Sequence, residues 1–195
     1  MRGRPSEARS RLLSTASRIF YAEGLHSVGV DRIITEANTT RATFYRHFPG
    51  KEDLVVAYLA EADRGLRERF ASRQVASASA ADALRGVAAD IADDIRRGGF
   101  RGCAFLNAAA EYPESENPVH RQVMEHREWF LGAVTELFEQ DGMGPAGPAG
   151  RHFVMLRDGA MVSGCLSDPE DVCPTFLHGV EGLLWSRTVV GTTRS

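Results

Sequence analysis

The recurrence of apolar residues at intervals of three and four is the feature that most restricts how this chain can fold. The first such segment predicts a helix from about Ser6 to Glu23 with one apolar face, formed by Leu12, Leu13, Ala16, Ile19 and Phe20. No segment alternates apolar and polar residues over the length of a strand, and no hairpin dipeptide separates two β-branched runs. The pattern therefore predicts an all-α fold with about nine helices.

Glycine, proline and short polar segments divide the pattern into separate helices. The predicted spans are about 6–23, 30–37, 41–48, 51–73, 81–97, 103–112, 118–140, 151–166 and 172–190. We expect residues 141–150, DGMGPAGPAG, to form a loop because they are rich in glycine and proline. Pro174 is expected in the first turn of the last helix, since proline is tolerated there and not farther along.

Charge is distributed unevenly along the 195 residues. The formal net charge of -3 argues against a general nucleic-acid binder. Residues 1–51, however, hold nine basic and four acidic residues, a net +5, which leaves -8 on the remaining residues. This asymmetry indicates a basic head that meets a polyanion and an acidic body that does not. Arg2, Arg4 and Arg9 would form a basic arm or lie along a nucleic-acid backbone.

Two short helices joined by a tight turn, Ala37-Asn38-Thr39-Thr40, have the elements of a helix-turn-helix. Such a turn usually needs one residue at positive φ, and Asn38 suits that role because asparagine tolerates the left-handed region. Thr40 is expected to cap the following helix. The apolar side of that helix is predicted to contain Ala42, Phe44, Tyr45 and Phe48, with Phe44 and Phe48 facing inward.

The opposite side of the third helix carries the groups that DNA recognition uses. Short side chains approach base edges, arginine binds guanine through two hydrogen bonds, and hydroxyls contact phosphates. Lys51 adds its charge to the start of the fourth helix, an arrangement that suits phosphate. The polar face consists of Thr40, Arg41, Thr43, Arg46 and His47.

Residues Ala16–Gly24 and Gly29–Leu54, and above all the run TFYRHFPGKEDL, closely resemble the DNA-binding domain of TetR/AcrR-type transcriptional regulators. The resemblance covers about residues 6–66. It implies a homodimeric repressor with a DNA-binding domain at 6–66 and a helical ligand-binding and dimerisation domain at 67–195. By the same resemblance, Thr40, Arg41, Thr43, Tyr45 and His47 face double-stranded DNA and Lys51 contacts a phosphate.

The chain departs from the family at two positions of the turn, where the family usually has Gly and Val and this chain has Asn38 and Thr39. Asn38 is readily accommodated. Thr39 places a hydroxyl at a position that is normally packed, so we expect a slightly less stable turn.

A pocket for a small-molecule effector is implied in the C-terminal domain, between helices four and eight. Its composition is typical of ligand pockets and also of the packed core of a bundle, and the resemblance favours the pocket. The candidate lining residues are Phe105, Glu111, Tyr112, Met124, Arg127, Phe130, Arg157 and Met161.

The last two helices carry apolar stripes, which in family members form a four-helix dimer interface. The alternative is burial of these stripes within one chain. The stripe residues are Phe153, Leu156, Ala160, Met161 and Gly164, followed by Phe176, Leu177, Val180, Leu183 and Leu184.

Other functions find little support in the sequence. No Ser/His/Asp, Cys/His or metal-ligand spacing indicates catalysis, so we expect no enzyme, no metal and no cofactor. Gly142–Gly147 matches GxGxxG but follows a helix, which favours a loop over a nucleotide site. A binding module or enzyme that uses the C-terminal cavity remains the alternative. No apolar run approaches the roughly 18 residues of a membrane span, and a cytoplasmic, nucleoid-associated protein is predicted.

Overall fold

The computed structural model describes residues 6–142 and 144–192, with side chains through Ser186. The arm predicted at Arg2 and Arg4 lies outside these residues. Within the described ranges the chain forms nine helices and no strand, which confirms the all-α prediction. The helices are α1 (Glu7–Glu23), α2 (Val30–Glu36), α3 (Arg41–His47), α4 (Lys51–Ala76), α5 (Ala80–Arg96), α6 (Ala104–Glu111), α7 (Pro118–Asp141), α8 (Ala146–Ser163) and α9 (Pro169–Thr192).

Several helices begin at a side-chain cap. The hydroxyl of Ser6 accepts the N–H of Arg9 at 3.2 Å at the start of α1. Ser79 accepts the N–H of Asp82 at 3.1 Å at the start of α5. These bonds satisfy N–H groups that have no partner within the helix. Gly24 ends α1 with a φ of 92°, a conformation that favours glycine.

The start of α8 differs from the prediction of a loop over 141–150. Helix α8 begins at Ala146, so the loop prediction was wrong for residues 146–150. Pro148 lies in the first turn, where its missing N–H would have no acceptor within the helix. A Cβ on Gly150 would lie 2.2 Å from Oγ1 of Thr135, so glycine here permits close approach of α8 to α7.

The position of Pro174 was also predicted wrongly, because α9 begins at Pro169 and Pro174 falls inside the helix. A proline there cannot donate a hydrogen bond to the carbonyl of Glu170. Pro174 and Glu170 are both exposed, so water can reach the freed carbonyl. This exposure explains how the helix continues past the proline.

The described residues form two compact units. The first contains the residues up to Arg64 together with Ala104–Met124. The second contains Gly65–Cys103 and the residues from Glu125 onward. Helix α6 and the first part of α7 therefore pack with the N-terminal helices.

Each unit has its own apolar core. In the first unit α1, α2 and α3 contact one another around side chains that are fully buried, among them Leu12, Ile19, Ile33, Phe44 and Leu54. In the second unit α9 packs on α5 and α8. Its core includes the fully buried Leu84, Phe138 and Phe153. Among the residues described, no helix has the length and apolar character required to cross a bilayer.

Candidate functional site

The turn between α2 and α3 has the conformation that the sequence predicts. Asn38 has a φ of 47° and is the one residue other than glycine at positive φ in the described part of the chain. The N–H of Ala37 donates to the carbonyl of Ile33 at 2.9 Å, and the N–H of Thr39 donates to the carbonyl of Ile34 at 3.1 Å. These bonds close the end of α2, and Asn38 then directs the chain into α3.

Helix α3 is fixed at its start by Thr40 and along its length by two phenylalanines. Oγ1 of Thr40 accepts the N–H of Thr43 at 3.1 Å and lies 3.0 Å from Oγ1 of the same residue. Phe44 and Phe48 are buried, and their ring centroids are 6.0 Å apart. The helix is therefore held by one side only, and its other side is free to contact a ligand.

The predicted apolar side of α3 was too wide. Ala42 is exposed and Tyr45 is 50% exposed, whereas Phe44 and Phe48 are buried. Successive residues of a helix are separated by about 100°, so residues 44 and 48 share a side that 42 and 45 do not. Tyr45 therefore lies on the surface, which its implied position facing DNA requires.

Charged and polar residues of α3 are already oriented by the first unit. Arg41 forms an ion pair with Asp31 of α2. Nε2 of His47 lies 3.0 Å from the hydroxyl of Ser6 at the start of α1. Arg46 is exposed, with no ion pair among the residues that the structure describes. Arg9 places its guanidinium 5.1 Å from the centre of the Phe48 ring.

Lys51 occupies the first position of α4, as predicted. Its Nζ donates to the carbonyl of His26 at 3.2 Å, and the side chain is half-buried. Burial lowers the pKa of Lys51, and the negative charge of Glu111 opposes that effect. The ammonium group is thus held beside a helix N-terminus, which is a favourable position for a phosphate.

Glu111 and Tyr112, both predicted for the effector pocket, are placed by the structure against the loop that follows α1. The carboxylate of Glu111 accepts the N–H of Leu25 at 2.8 Å and of His26 at 2.5 Å. The ring of Tyr112 lies 4.6 Å from the ring of His26. Burial, together with Glu52 and Glu111, raises the pKa of Tyr112. No local sequence signal predicts this contact, because its partners are 85 and 86 residues apart.

The other predicted pocket residues are divided between the two units. Phe105 is buried in the first unit, and Met124, also in the first unit, is 42% exposed. Arg127 belongs to the second unit and binds Asp158 at 2.9 Å. Phe130, Arg157 and Met161 line a common cavity in the second unit.

This cavity has a volume of about 40 Å³. Its walls combine the aromatic rings of Phe70, Trp129 and Phe130 with the buried Arg157. The remaining wall side chains belong to Leu66, Arg69, Val87, Asp90, Ile91, Asp94 and His126. The cavity joins apolar surface to a few charged groups, as ligand sites do.

An open groove of about 940 Å³ runs between α8 and α9 of the second unit. Leu156, Ala160, Phe176 and Leu183 of the predicted stripes line it, together with Gly159, Gly179 and Gly182. Phe153 and Val180 instead face the core of the unit. Met155, on the groove, is 71% exposed, and Trp185 is 70% exposed. Such apolar exposure is unusual for a surface that contacts only water.

Comparison with known proteins agrees with the geometry of the first unit. The family model for bacterial regulatory proteins of the tetR family matches residues 12–58. A crystallised TetR-family transcriptional regulator from Streptomyces coelicolor is 62% identical, with 93% of this chain and 96% of that chain covered and a TM-score of 0.90. The chain belongs to the TetR family. It is accordingly a DNA-binding transcriptional regulator.

Less similar proteins match part of the sequence or share the fold. LmrA of Bacillus subtilis, named as an HTH-type transcriptional regulator, is 30% identical over 80 residues, which span 40% of this TetR-family chain and 43% of LmrA. YxaF of the same organism is 37% identical over 51 residues, or 26% of this chain and 27% of YxaF. The match thus spans less than half of either curated relative.

A crystal structure from Streptomyces avermitilis, a putative transcriptional regulator of the family, superposes with a TM-score of 0.79 at 20% identity. It covers 91% of this TetR-family chain and 98% of that chain. At this identity the similarity shows a shared fold alone.

Proposed function

We propose that this TetR-family regulator is a homodimeric repressor that binds a palindromic operator and is released by a small molecule bound in its C-terminal domain. In this proposal residues 6–66 form the DNA-binding domain and residues 67–195 the effector and dimerisation domain. The carrying observation is that Phe44 and Phe48 are buried, whereas the opposite, polar side of α3 is open to solvent. Arg41, Tyr45 and Arg46 are exposed there, and Thr43 and His47 are half-buried. Because its partner is double-stranded DNA, we place the protein in the cytoplasm, at the nucleoid.

The proposed DNA contacts follow from the chemistry of each exposed group. Arg46 is suited to guanine, because its guanidinium has no ion-pair partner among the described residues. Thr43 and Tyr45 present a hydroxyl and a half-exposed ring to base edges. Lys51 would bind a phosphate at the start of α4. The full proposed set is Thr40, Arg41, Thr43, Tyr45, Arg46, His47 and Lys51.

The salt dependence of operator binding tests this interface. A protein that neutralises fewer phosphates releases fewer counterions, so Lys51→Gln should weaken binding and reduce the salt slope by about one unit. Arg46→Gln should weaken binding and relax sequence preference. Arg151→Gln is a matched control, because Arg151 is an exposed arginine of α8 in the second unit. Equal slopes for Lys51→Gln and the control would contradict the assigned interface.

The groove between α8 and α9 supports a dimer through the last two helices. Two copies of α3 must reach successive major grooves about 34 Å apart on a palindrome, which requires a fixed pairing of subunits. The glycines of the groove allow a partner helix to approach closely. Gly159 and Gly182 are examples, since a Cβ built on either meets no neighbouring atom within 4 Å in this chain.

Size measurement by light scattering tests the dimer. Gly159→Leu fits the isolated chain and should block a partner at the groove, so the variant is expected to be monomeric and to lose operator affinity. Gly132→Leu is the control, because Gly132 on α7 also has open space around its Cβ and does not line the groove. If the Gly159→Leu protein is still a dimer, the groove is not the dimer interface.

A further inference from the structure

We infer that the cavity of the second unit binds a small aromatic carboxylate, with the carboxylate on Arg157 and the ring against Phe70, Trp129 and Phe130. This inference rests on the proposed function, in which the C-terminal domain receives an effector. It goes further by naming the chemical class of that effector.

Arg157 is a buried cation with unused hydrogen-bonding capacity. It is 7% exposed and lines the cavity. Nη1 donates to Oδ1 of Asp158 at 2.8 Å, and Nη2 lies 3.0 Å from the sulfur of Cys103. A guanidinium carries five N–H donors, and a thiol is a weak acceptor. In the described part of the chain the other donors of Arg157 have no acceptor, so an anion in the cavity would satisfy them.

The charge around Arg157 is positive. Asp158 binds Arg157 through one oxygen and Arg127 through the other, at 2.8 and 2.9 Å. Two guanidinium groups therefore share one carboxylate, which leaves one positive charge uncompensated. An anionic ligand on Arg157 would neutralise it in a site of low dielectric constant.

The carboxylates of the cavity wall do not supply that missing negative charge. Asp94 receives two hydrogen bonds from Arg69, at 3.1 and 2.9 Å. Asp90 receives a hydrogen bond from Nε of Arg73 at 2.8 Å and a second from Nη2. Asp94 also pairs with Arg97 at 3.2 Å. Both acidic wall residues are thus neutralised by arginines other than Arg157, and Arg157 is the buried cation that an anion would contact.

Three aromatic rings explain why the ligand should be aromatic. The Phe70 ring lies 5.8 Å from that of Trp129 and 6.3 Å from that of Phe130, in edge-to-face geometry. The guanidinium of Arg157 is 5.6 Å from the Phe130 ring centre. A planar ring placed among them gains further edge and stacking contacts, while a carboxylate attached to it reaches the guanidinium.

The volume of the cavity restricts the size of the ligand. One water needs roughly 10–15 Å³ by this kind of measure, so about 40 Å³ holds only a few waters. A single ring therefore enters only if a wall side chain moves. Trp129 and Phe130 are both half-exposed, whereas Phe70 is buried, so the first two are the aromatic wall residues that can move outward. Ligands with several fused rings would require displacement of buried core residues.

Fluorescence of Trp129 provides a direct test in the full-length chain. The sequence contains two tryptophans, and Trp185 is 70% exposed, so Trp185→Phe leaves Trp129 as the reporter. The probes are benzoate, its neutral analogue benzamide, and acetate, which has the charge without the ring. We expect a saturable change with benzoate, a Kd about tenfold higher for benzamide, and no saturation with acetate.

Variants assign the charge preference to one arginine. Arg157→Gln should abolish the preference for benzoate over benzamide. Arg151→Gln is the matched control, because Arg151 is an exposed arginine of α8 that neither lines the cavity nor pairs with Asp158. Equal binding of benzoate and benzamide, or an unchanged preference in Arg157→Gln, would overturn the inference. If Arg157→Gln does not fold, the comparison of benzoate with benzamide on the parent chain still decides.

Ligand binding and operator binding are tested separately, because the fluorescence titration contains no DNA. A chain that binds a palindromic operator but shows no charge-selective binding of benzoate overturns the effector class alone. A chain that binds benzoate as predicted but selects no palindrome from random DNA overturns the repressor and supports the cavity assignment.

Discussion

The carboxylate of Glu111 accepts the backbone N–H of Leu25 at 2.8 Å, across 86 residues of sequence. Its other oxygen accepts the N–H of His26 at 2.5 Å, and Nε2 of His26 lies 2.7 Å from the Glu111 carbonyl. Leu25 and His26 directly follow the end of α1, in the loop that leads to the helix-turn-helix. The end of α6 therefore holds the backbone of the loop between α1 and α2.

Substitution of Glu111 should destabilise this unit. Glu111→Gln replaces one acceptor oxygen by an amide NH₂ that faces a backbone donor, and hydrogen bonds to charged groups contribute roughly 1.5–3 kcal/mol. We expect the free energy of unfolding in urea to fall by about that amount. Glu114→Gln, an exposed substitution of the same kind in the same unit, serves as the control. Equal stability of the two variants would show that the Glu111 bonds contribute no net stability.

Asn38 provides a conformational prediction. Its φ of 47° is strained for most side chains and open to glycine. We expect Asn38→Ala to lower the free energy of unfolding by about 1 kcal/mol, and Asn38→Gly to leave it nearly unchanged. Thermal melting followed by circular dichroism distinguishes the two variants. A turn that tolerates alanine as well as glycine would contradict the assigned conformation.

Operator binding should depend on pH through Lys51. Because burial lowers the pKa of Lys51, its ammonium loses the proton at a lower pH than an exposed lysine does. The phosphate contact is present below that pKa and is lost as the pH rises through it. We expect operator affinity, measured by fluorescence anisotropy from neutral pH to about pH 10, to fall in the native chain. In Lys51→Arg, which stays charged over this range, the fall should be smaller.

Close packing of α7 and α8 gives a stability prediction for the second unit. A Cβ on Gly150 would lie 2.2 Å from Oγ1 and 3.3 Å from the backbone Cα of Thr135. Gly150→Ala should therefore destabilise the chain by about 1–3 kcal/mol, as overpacking does. Gly132→Ala, at a helical position with open space, should instead be neutral or stabilising in the same urea titration.

Features that depend on near neighbours in sequence could be predicted. The positive φ of Asn38, the cap at Thr40 and the inward Phe44 and Phe48 follow from local conformational preferences and helical spacing. The errors at Ala42 and Tyr45 came from treating apolar character as burial, whereas the angle around the helix decides which residues are covered.

Features that depend on distant residues could not be predicted. Nothing near Glu111 in sequence indicates that its carboxylate binds the backbone of Leu25, and the resemblance to the family placed Glu111 among the candidate pocket residues. The helical start of α8 could not be predicted either. The composition of residues 146–150 favours a loop, whereas the helix packs closely against Thr135, which is distant from it in the pattern of local signals. The predicted cavity residues Phe130, Arg157 and Met161 do meet, since they lie on the facing sides of α7 and α8.

Lys51 is the only lysine in the 195 residues, and the other 22 of the 23 lysine and arginine residues are arginines. Its amine is therefore the one side-chain target for amine-acylating reagents, and its lowered pKa favours the reactive neutral form. Among the side chains, an acyl label is thus attached at the start of α4 alone, without mutagenesis, and the α-amine is the other group that such reagents modify. If bound operator protects this amine from acylation, the loss of labelling shows that the operator covers the protein surface at Lys51.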